Sequence, residues 1–212
     1  MAFKRIPPLG QVPATGYEPA MARMRGMAFL GTARFVKHTY GEEMLRQIVA
    51  DAGPAAQKTF SKRIDGLGLQ PYEAFVGFLH SADRHLGSGD LSFCRTIGEM
   101  AARQDLETIF RVYAVRPEPD KIIEACTPIW GMYTDGGGYM EAIDVRPERT
   151  VLRITEFPDM DPAHCRMMEG WMTAAMDVIG VRILPGACET ECMSSGGRYH
   201  EFSCQWELKQ PG

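Results

Sequence analysis

The chain has 212 residues, a formal net charge of −4 at pH 7 and 45% hydrophobic residues. This length and composition predict one domain with a sizeable buried core. The acidic balance argues against a nucleic-acid partner, because the chain as a whole has no basic field. No run approaches the roughly 18 apolar residues of a membrane span, so we expect no membrane-spanning helix.

The six cysteines bear on the compartment in which the protein works. Lys4 and Arg5 stand near the start of the chain, but the apolar run of a signal peptide does not follow them. Without an export signal, reduced thiols in the cytosol are the default state of cysteine. We therefore expect a cytoplasmic protein with free thiols.

The first two thirds of the sequence predict helices. Residues 1–21 are rich in proline and glycine, which predicts an N-terminal arm, and residues 22–208 are predicted to form a single domain. Residues 22–28 fit a short strand, and beyond them apolar residues recur at helical spacing. The predicted helices cover residues 29–40, 42–51, 54–64, 72–86, 91–115 and 119–133.

The last third changes from helical to alternating periodicity. Residues 139–145 and 150–157 alternate and predict a hairpin. An amphipathic helix is predicted over residues 163–180, with Asp161 as its cap and Pro162 in its first turn. The later predicted strands cover residues 181–184, 187–193 and 198–208. The predicted class is α+β, in which a helical N-terminal half packs on a C-terminal antiparallel sheet of four or five strands with hairpin–helix–hairpin order.

The final hairpin concentrates metal-ligand residue types. If a three-residue loop spans residues 195–197, Cys192 lies opposite His200, and Cys188 lies opposite Cys204. Three thiols and an imidazole on one apolar face suit the tetrahedral coordination of zinc. The Cys-x2-Cys spacing of a zinc knuckle is missing, and the alternative is that these are ordinary small buried side chains.

The same region resembles a known family. Cys165 opens a helix that contains Glu169-Gly170-Trp171, Glu189-x-x-Cys192 follows, and after a Gly-Gly turn Tyr199-His200-Glu201-Phe202 leads to Trp206. This pattern resembles the vinyl-4-reductase-type ligand-binding domain of bacterial aromatic-responsive regulators. The wider superfamily includes heme-based nitric-oxide-binding domains and TRAPP-like subunits that tether Golgi vesicles. The resemblance covers residues 22–208. Within the superfamily, the sequence is most similar to an uncharacterised bacterial, myxobacterial-type branch.

The resemblance implies a metal site. In the aromatic-sensing members, zinc is held by a Cys at the helix start, a Glu-x-x-Cys pair and a Cys after the glycine turn. Three of these positions fall on Cys165, Glu189 and Cys192, while His200 stands where the family has its last Cys. Zinc is therefore the candidate metal. The predicted register places Glu189 on the opposite face from Cys192, so joint ligation requires a bulge.

The resemblance also leads us to argue against heme. The heme-binding members carry a Tyr-x-Ser-x-Arg motif that holds the propionates, and the sequence lacks this motif. His38, His80, His85 and His164 are candidates by residue type alone.

The function that the resemblance implies is non-enzymatic. We expect a small-molecule-binding or regulatory module that binds an apolar ligand and acts through an unidentified partner protein. The alternative is a protein–protein interaction scaffold without a small ligand, a homodimer like the tethering relatives. The sequence has no Gly-x-Ser-x-Gly elbow and no pair of carboxylates to which acid and base roles can be assigned, so we do not expect an enzyme. The predicted ligand pocket is lined by Trp130, Met168, Trp171, Met172, Phe202 and Trp206.

Overall fold

A computed structural model describes residues 22–208 except residues 116, 117, 147, 158 and 159. The predicted N-terminal arm lies outside the described residues. Helices pack against an antiparallel sheet, which confirms the predicted α+β class. Among the described helices, none combines the length and apolar character that crossing a bilayer demands.

Helices dominate the first part of the chain, and one long helix interrupts the later strands. They are α1 (Gly26–Tyr40), α2 (Glu42–Asp51), α3 (Pro54–Phe60), α4 (Tyr72–Leu86), α5 (Ser92–Glu107), α6 (Arg111–Val115), α7 (Pro119–Glu124), α8 (Cys126–Tyr133) and α9 (Pro162–Val178). The strands are β1 (Arg23–Arg25), β2 (Leu69–Pro71), β3 (Thr134–Asp135), β4 (Tyr139–Arg146), β5 (Arg149–Thr155), β6 (Val181–Ile183), β7 (Cys188–Glu191) and β8 (His200–Leu208).

Two of the predicted helices are each divided in two. The helix predicted over residues 91–115 ends at Glu107, because Thr108 leaves helical geometry and the amide of Phe110 donates to the carbonyl of Asp105. This turn allows Phe110 to be buried. The helix predicted over residues 119–133 is divided into α7 and α8 at Ala125.

The main sheet has five strands in the order β4-β5-β8-β6, and β7 also pairs with β8. All its pairs are antiparallel, as predicted from the hairpin–helix–hairpin order. A second, three-stranded sheet has the order β2-β1-β3. Strand β1 falls within the strand predicted over residues 22–28, whereas β2 and β3 span three and two residues, which is too short for an alternating pattern to be recognised in sequence.

Helix α9 lies between α5 and the sheet, and two glycines allow its close approach to α5. A Cβ on Gly98 of α5 would stand 1.9 Å from the carbonyl oxygen of Met167, and one on Gly170 of α9 would stand 2.0 Å from that of Arg95. Asp161 caps α9 as predicted, because its side chain accepts a hydrogen bond from the amide of Ala163 at 2.8 Å. The start of α9 is thereby fixed beside strand β8.

Candidate functional site

A bulge in β7 decides which side chains meet on the apolar face of the last hairpin. Cys188 pairs with Ser203 and Glu189 with Phe202, and the register then shifts before Glu191. The predicted register is therefore wrong by one residue before the bulge. Since successive side chains of a strand alternate between faces, this single step exchanges the faces of Cys188 and Glu189.

Cys188 is consequently an exposed thiol and does not join the cluster that we predicted from the hairpin alone. Glu189 takes its place on the face of His200. The connection between β7 and β8 also differs from the assumed three-residue loop. It contains a short 3-10 turn, Met193–Ser195, followed by Gly196 at φ 89°.

Four potential metal ligands meet at this bulge. The ligand atoms of Cys165, Glu189, Cys192 and His200 all lie within 4.8 Å of one another. His200 Nδ1 is 2.9 Å from Glu189 Oε1 and 3.4 Å from Cys165 Sγ. These are the residues that the resemblance singled out. The structure brings them together from α9, from the β7 bulge and from β8.

The surroundings of the cluster orient its ligands. The Nε2 of His200 lies 3.3 Å from the carbonyl oxygen of Phe157, which can only accept a hydrogen bond. Nε2 can donate to this carbonyl, whereas Nδ1 faces the carboxylate of Glu189 and is the nitrogen available to a metal ion. The buried carboxylate of Glu169 accepts a hydrogen bond from the amide of Glu189 at 2.9 Å, and Arg166 contacts the same oxygen at 2.8 Å. Glu169 thus ties the bulge to α9.

The protonation states follow from burial and charge. Burial raises the pKa of the Cys165 thiol, and the negative charge of Glu189 raises it further. Burial also acts against ionisation of Glu189. Hydrogen bonds from His200, Cys165 and Cys192 outweigh this effect and lower the pKa of Glu189. The donor set comprises two sulfurs, one imidazole nitrogen and one carboxylate, all of which are ordinary zinc ligands.

A separate cavity of about 90 Å³ lies between the helices and the sheet. Trp130, Met168, Trp171 and Met172 line it, whereas the predicted lining residues Phe202 and Trp206 do not. Their placement in the pocket was wrong. Phe202 is fully buried opposite Glu189, beside the metal-ligand cluster, and Trp206 pairs with Ile183 at the β6 end of the sheet. The side chain of β8 that reaches the cavity is Cys204.

The walls of the cavity are mostly apolar and rich in methionine. Seven of the 14 methionines of the chain line it, together with isoleucines, small residues and two tryptophans. Methionine side chains adapt to the shape of an apolar partner more readily than branched ones. The lining methionines are Met24, Met27, Met140, Met167, Met168, Met172 and Met176.

His164 supplies an imidazole to the cavity wall. Its Nδ1 lies 3.1 Å from the hydroxyl oxygen of Tyr72, and its ring stacks on Trp130 with an interplanar angle of 20°. Burial lowers the pKa of His164 to about 3, so the ring is neutral at physiological pH. In the sequence this histidine was a candidate by type alone.

Asp105 is a second polar feature of the wall, and no sequence pattern distinguishes it from the other acidic residues of the helices. Its Oδ2 accepts hydrogen bonds from the hydroxyl of Tyr133 at 2.5 Å and from the indole Nε1 of Trp171 at 3.1 Å. Burial raises the pKa of Asp105, although both hydrogen bonds act in the opposite direction. The thiol of Cys126 also faces the cavity.

The fold defined by these elements is that of the H-NOX domains, which are heme-nitric-oxide-binding domains. An H-NOX protein from S. oneidensis in the Fe(II) ligation state is 11% identical, with a TM-score of 0.69 over 88% of this chain and 98% of that chain. An Fe(II) unliganded H-NOX protein from K. algicida is 10% identical, with a TM-score of 0.66 over 89% and 100%. An oxygen-binding H-NOX domain related to soluble guanylate cyclases is 11% identical, with a TM-score of 0.63 over 89% and 96%.

Neither protein-family models nor curated proteins give a match to the sequence. The H-NOX fold agrees with the heme-NO-binding part of the predicted resemblance. The vinyl-4-reductase and TRAPP-like parts stay predictions. The prediction against heme was wrong. It rested on one missing motif. The structural neighbours are H-NOX proteins in Fe(II) and Fe(II)NO ligation states, which points to heme as the cofactor.

Proposed function

We propose that this chain is a non-enzymatic sensory domain that binds a small molecule in the cavity between its helices and its sheet. The observation that carries the proposal is an apolar, methionine-rich cavity with a few polar groups inside an H-NOX fold. Ligand sites of proteins commonly have this composition. Binding would be transmitted through the helices around the cavity to a partner protein.

Heme is the first cofactor to consider, because solved structures with this fold are H-NOX proteins in Fe(II) states. The lining offers several side chains of the types that ligate heme iron, among them the imidazole of His164 and the thiols of Cys126 and Cys204. The described lining contains no lysine or arginine. Arg25 lies in a surface groove that shares Met27 with the cavity, and its guanidinium is the cation available to heme carboxylates there. Bound heme would supply an iron atom that binds diatomic gases.

The test is a titration of the purified protein with hemin, followed by absorption spectroscopy. We expect a saturable Soret band at one heme per chain. His164→Ala and Cys126→Ala should identify the axial ligand by the variant whose band shifts, while the exposed His38→Ala serves as the matched control. Absence of a saturable band in the wild-type protein would remove heme from the proposal.

For the four-residue cluster we propose a structural metal ion, with zinc as the metal that fits the donor set. Its support is the convergence of Cys165, Glu189, Cys192 and His200 within 4.8 Å, together with the orienting contacts of Phe157 and Glu169. Such an ion would connect α9 to the β7 bulge and to β8. It would lie outside the apolar cavity, since none of the four side chains lines it.

Native mass spectrometry of the untagged protein tests the metal site. We expect one zinc ion per chain, and we expect Cys165→Ser and Cys192→Ser to remove it. Cys188→Ser is a matched control, because Cys188 is an exposed thiol in β7, next to Glu189 in sequence but outside the cluster. A bare polypeptide mass after purification with added zinc would contradict the proposal.

The second candidate function is the interaction scaffold. It is favoured by exposed apolar side chains around α6, where Ile109, Val112 and Val115 are 46%, 66% and 66% exposed. Surfaces of this kind can mark protein contacts. Light scattering after size-exclusion chromatography would show a dimer for the scaffold, and Val112→Asp should dissociate it. A monomer with a bound small molecule would favour the sensory domain.

A further inference from the structure

The cavity carries a single carboxylate among its described lining residues, that of Asp105. Its neighbours in the wall are mainly methionine, isoleucine, alanine and tryptophan side chains. No described lysine or arginine lines the cavity to balance the charge. A carboxylate in such surroundings costs free energy unless hydrogen bonds or a counter-charge compensate for it.

The two oxygens of Asp105 have different surroundings. Oδ2 accepts both hydrogen bonds, from Tyr133 and from Trp171. Oδ1 has neither a hydrogen bond nor an ion pair with any described residue. The described side-chain atoms that are fully buried without a hydrogen-bond partner are Thr150 Oγ1, Arg153 Nε and Trp206 Nε1, so Oδ1 of Asp105 is an accessible acceptor. It can therefore accept a hydrogen bond from a donor group of a ligand.

The carboxylate is also held in a fixed orientation. Phe110 packs against Tyr133 and Trp171 with ring centroids 6.1 Å and 6.5 Å apart. The two donors are thereby restrained, and they restrain Oδ2 in turn. Oδ1 is therefore preorganised, so that a ligand would lose little conformational entropy of the protein when it binds there.

We propose that Asp105 is the recognition residue of the cavity and that the ligand is an apolar molecule with an ammonium or N–H group. This group would donate a hydrogen bond to Oδ1 while the apolar part contacts the methionine-rich wall. The inference rests on the proposed ligand binding in the cavity and adds the chemical class of the ligand. A ligand that places a carboxylate beside Oδ1 would be rejected, because two like charges would lie together in apolar surroundings.

Three compounds with one ring and one chain length provide the test: phenethylamine, 2-phenylethanol and phenylacetate. Isothermal titration calorimetry at pH 7.5 should show the amine binding about tenfold or more tightly than the alcohol, since hydrogen bonds between charged groups are the stronger ones. Phenylacetate should bind most weakly. Asp105→Asn should bring the affinity of the amine down to that of the alcohol.

The variant is chosen to separate recognition from structure. The amide oxygen of an asparagine can still accept the hydrogen bonds of Tyr133 and Trp171, while the negative charge is removed and an NH2 donor replaces the acceptor Oδ1. Glu107→Gln, an exposed position on the same helix, should leave the order of affinities unchanged. Equal affinities for the amine and phenylacetate, or an amine preference that survives Asp105→Asn, would overturn the inference.

Hemin distinguishes failure of this inference from failure of the proposed function. Saturable binding of hemin without binding of phenethylamine would overturn the role of Asp105 but leave ligand binding in the cavity intact. If neither hemin nor any of the three compounds bound, both the inference and the cavity proposal would be wrong.

Discussion

Asp105 shows how a single residue can combine a cost in stability with a role in binding. Its carboxylate is partly buried against tryptophan and tyrosine, and burial raises its pKa. A carboxyl group whose pKa is raised in the folded state stabilises the fold at pH values below its unfolded pKa of about 3.9. This contribution is lost as the pH rises through the folded pKa.

Asp105→Asn should therefore increase the free energy of unfolding at pH 7.5. The gain should shrink as the pH is lowered toward 3.9, because the carboxyl group of the wild-type protein then becomes neutral in both states. Urea unfolding of the two proteins across this pH range measures the difference, with Glu107→Gln as a control at an exposed position of the same helix. A variant less stable than the wild type at pH 7.5 would mean that Asp105 serves the fold rather than a ligand.

Glu189 is the residue whose predicted orientation is reversed in the structure. In a regular strand it would have faced away from Cys192 and His200, and the metal cluster would have lacked its carboxylate. One additional residue in β7 reverses this orientation. Joint ligation by Glu189 and Cys192 predicted that the strand has a bulge. The sequence contains no local signal that places this bulge between Glu189 and Glu191.

At the scale of elements, the contact between α5 and α9 positions both the cavity and the metal-ligand cluster. Gly98 and Gly170 face backbone carbonyls of the opposite helix at distances that leave no room for a Cβ atom. Flexible side chains could move aside, but a carbonyl fixed in a helix cannot. The helices would have to separate to accept a larger residue, and α9 would move relative to the sheet.

Gly98→Ala should accordingly lower the free energy of unfolding by about 1–3 kcal/mol through overpacking. Gly131→Ala is the matched control, because Gly131 lies within α8 and has no neighbour within 4 Å of an added Cβ. That control should raise stability by about 0.5–1 kcal/mol, since alanine favours helices over glycine. Urea unfolding measures both changes, and equal effects of the two substitutions would contradict the close helix contact.

At the scale of the whole molecule, the metal-ligand cluster connects distant parts of the chain. Cys165 lies in the first turn of α9, and His200 begins β8, with the bulge of β7 between them in sequence. A bound ion would therefore stabilise the packing of the helical layer on the sheet rather than one loop. Ligands that bind only the folded state add stability according to their concentration and affinity.

Removal of zinc with a chelator should lower the melting temperature if the proposed ion is present. At free zinc concentrations of 100 times Kd, the stabilisation is about 2.7 kcal/mol. For a chain of this size that corresponds to about 5–11 °C. Differential scanning calorimetry with and without zinc measures it, and Cys192→Ser should abolish the difference while Cys188→Ser preserves it. If the melting temperature of the wild-type protein is the same with and without zinc, a stabilising ion is excluded.

The sequence by itself determined the α+β class, most helix and strand bounds in the C-terminal third and the Asp161 cap. These features depend on periodicity and capping, which are local properties of the chain. The residues of the metal-ligand cluster were proposed from the family resemblance, since the hairpin pattern alone pointed to Cys188 and Cys204 in place of Cys165 and Glu189. The sequence also indicated Trp130, Met168, Trp171 and Met172 as pocket residues, and these line the cavity.

Only the tertiary structure decided the register of the last hairpin, the exclusion of Phe202 and Trp206 from the cavity and the position of Asp105 in its wall. A register depends on pairing between strands, and a one-residue step moves a side chain to the other face. Asp105, Tyr133 and Trp171 are far apart in sequence and meet only because α5, α8 and α9 surround the same cavity. A residue pattern within a single helix cannot predict a contact that joins three helices.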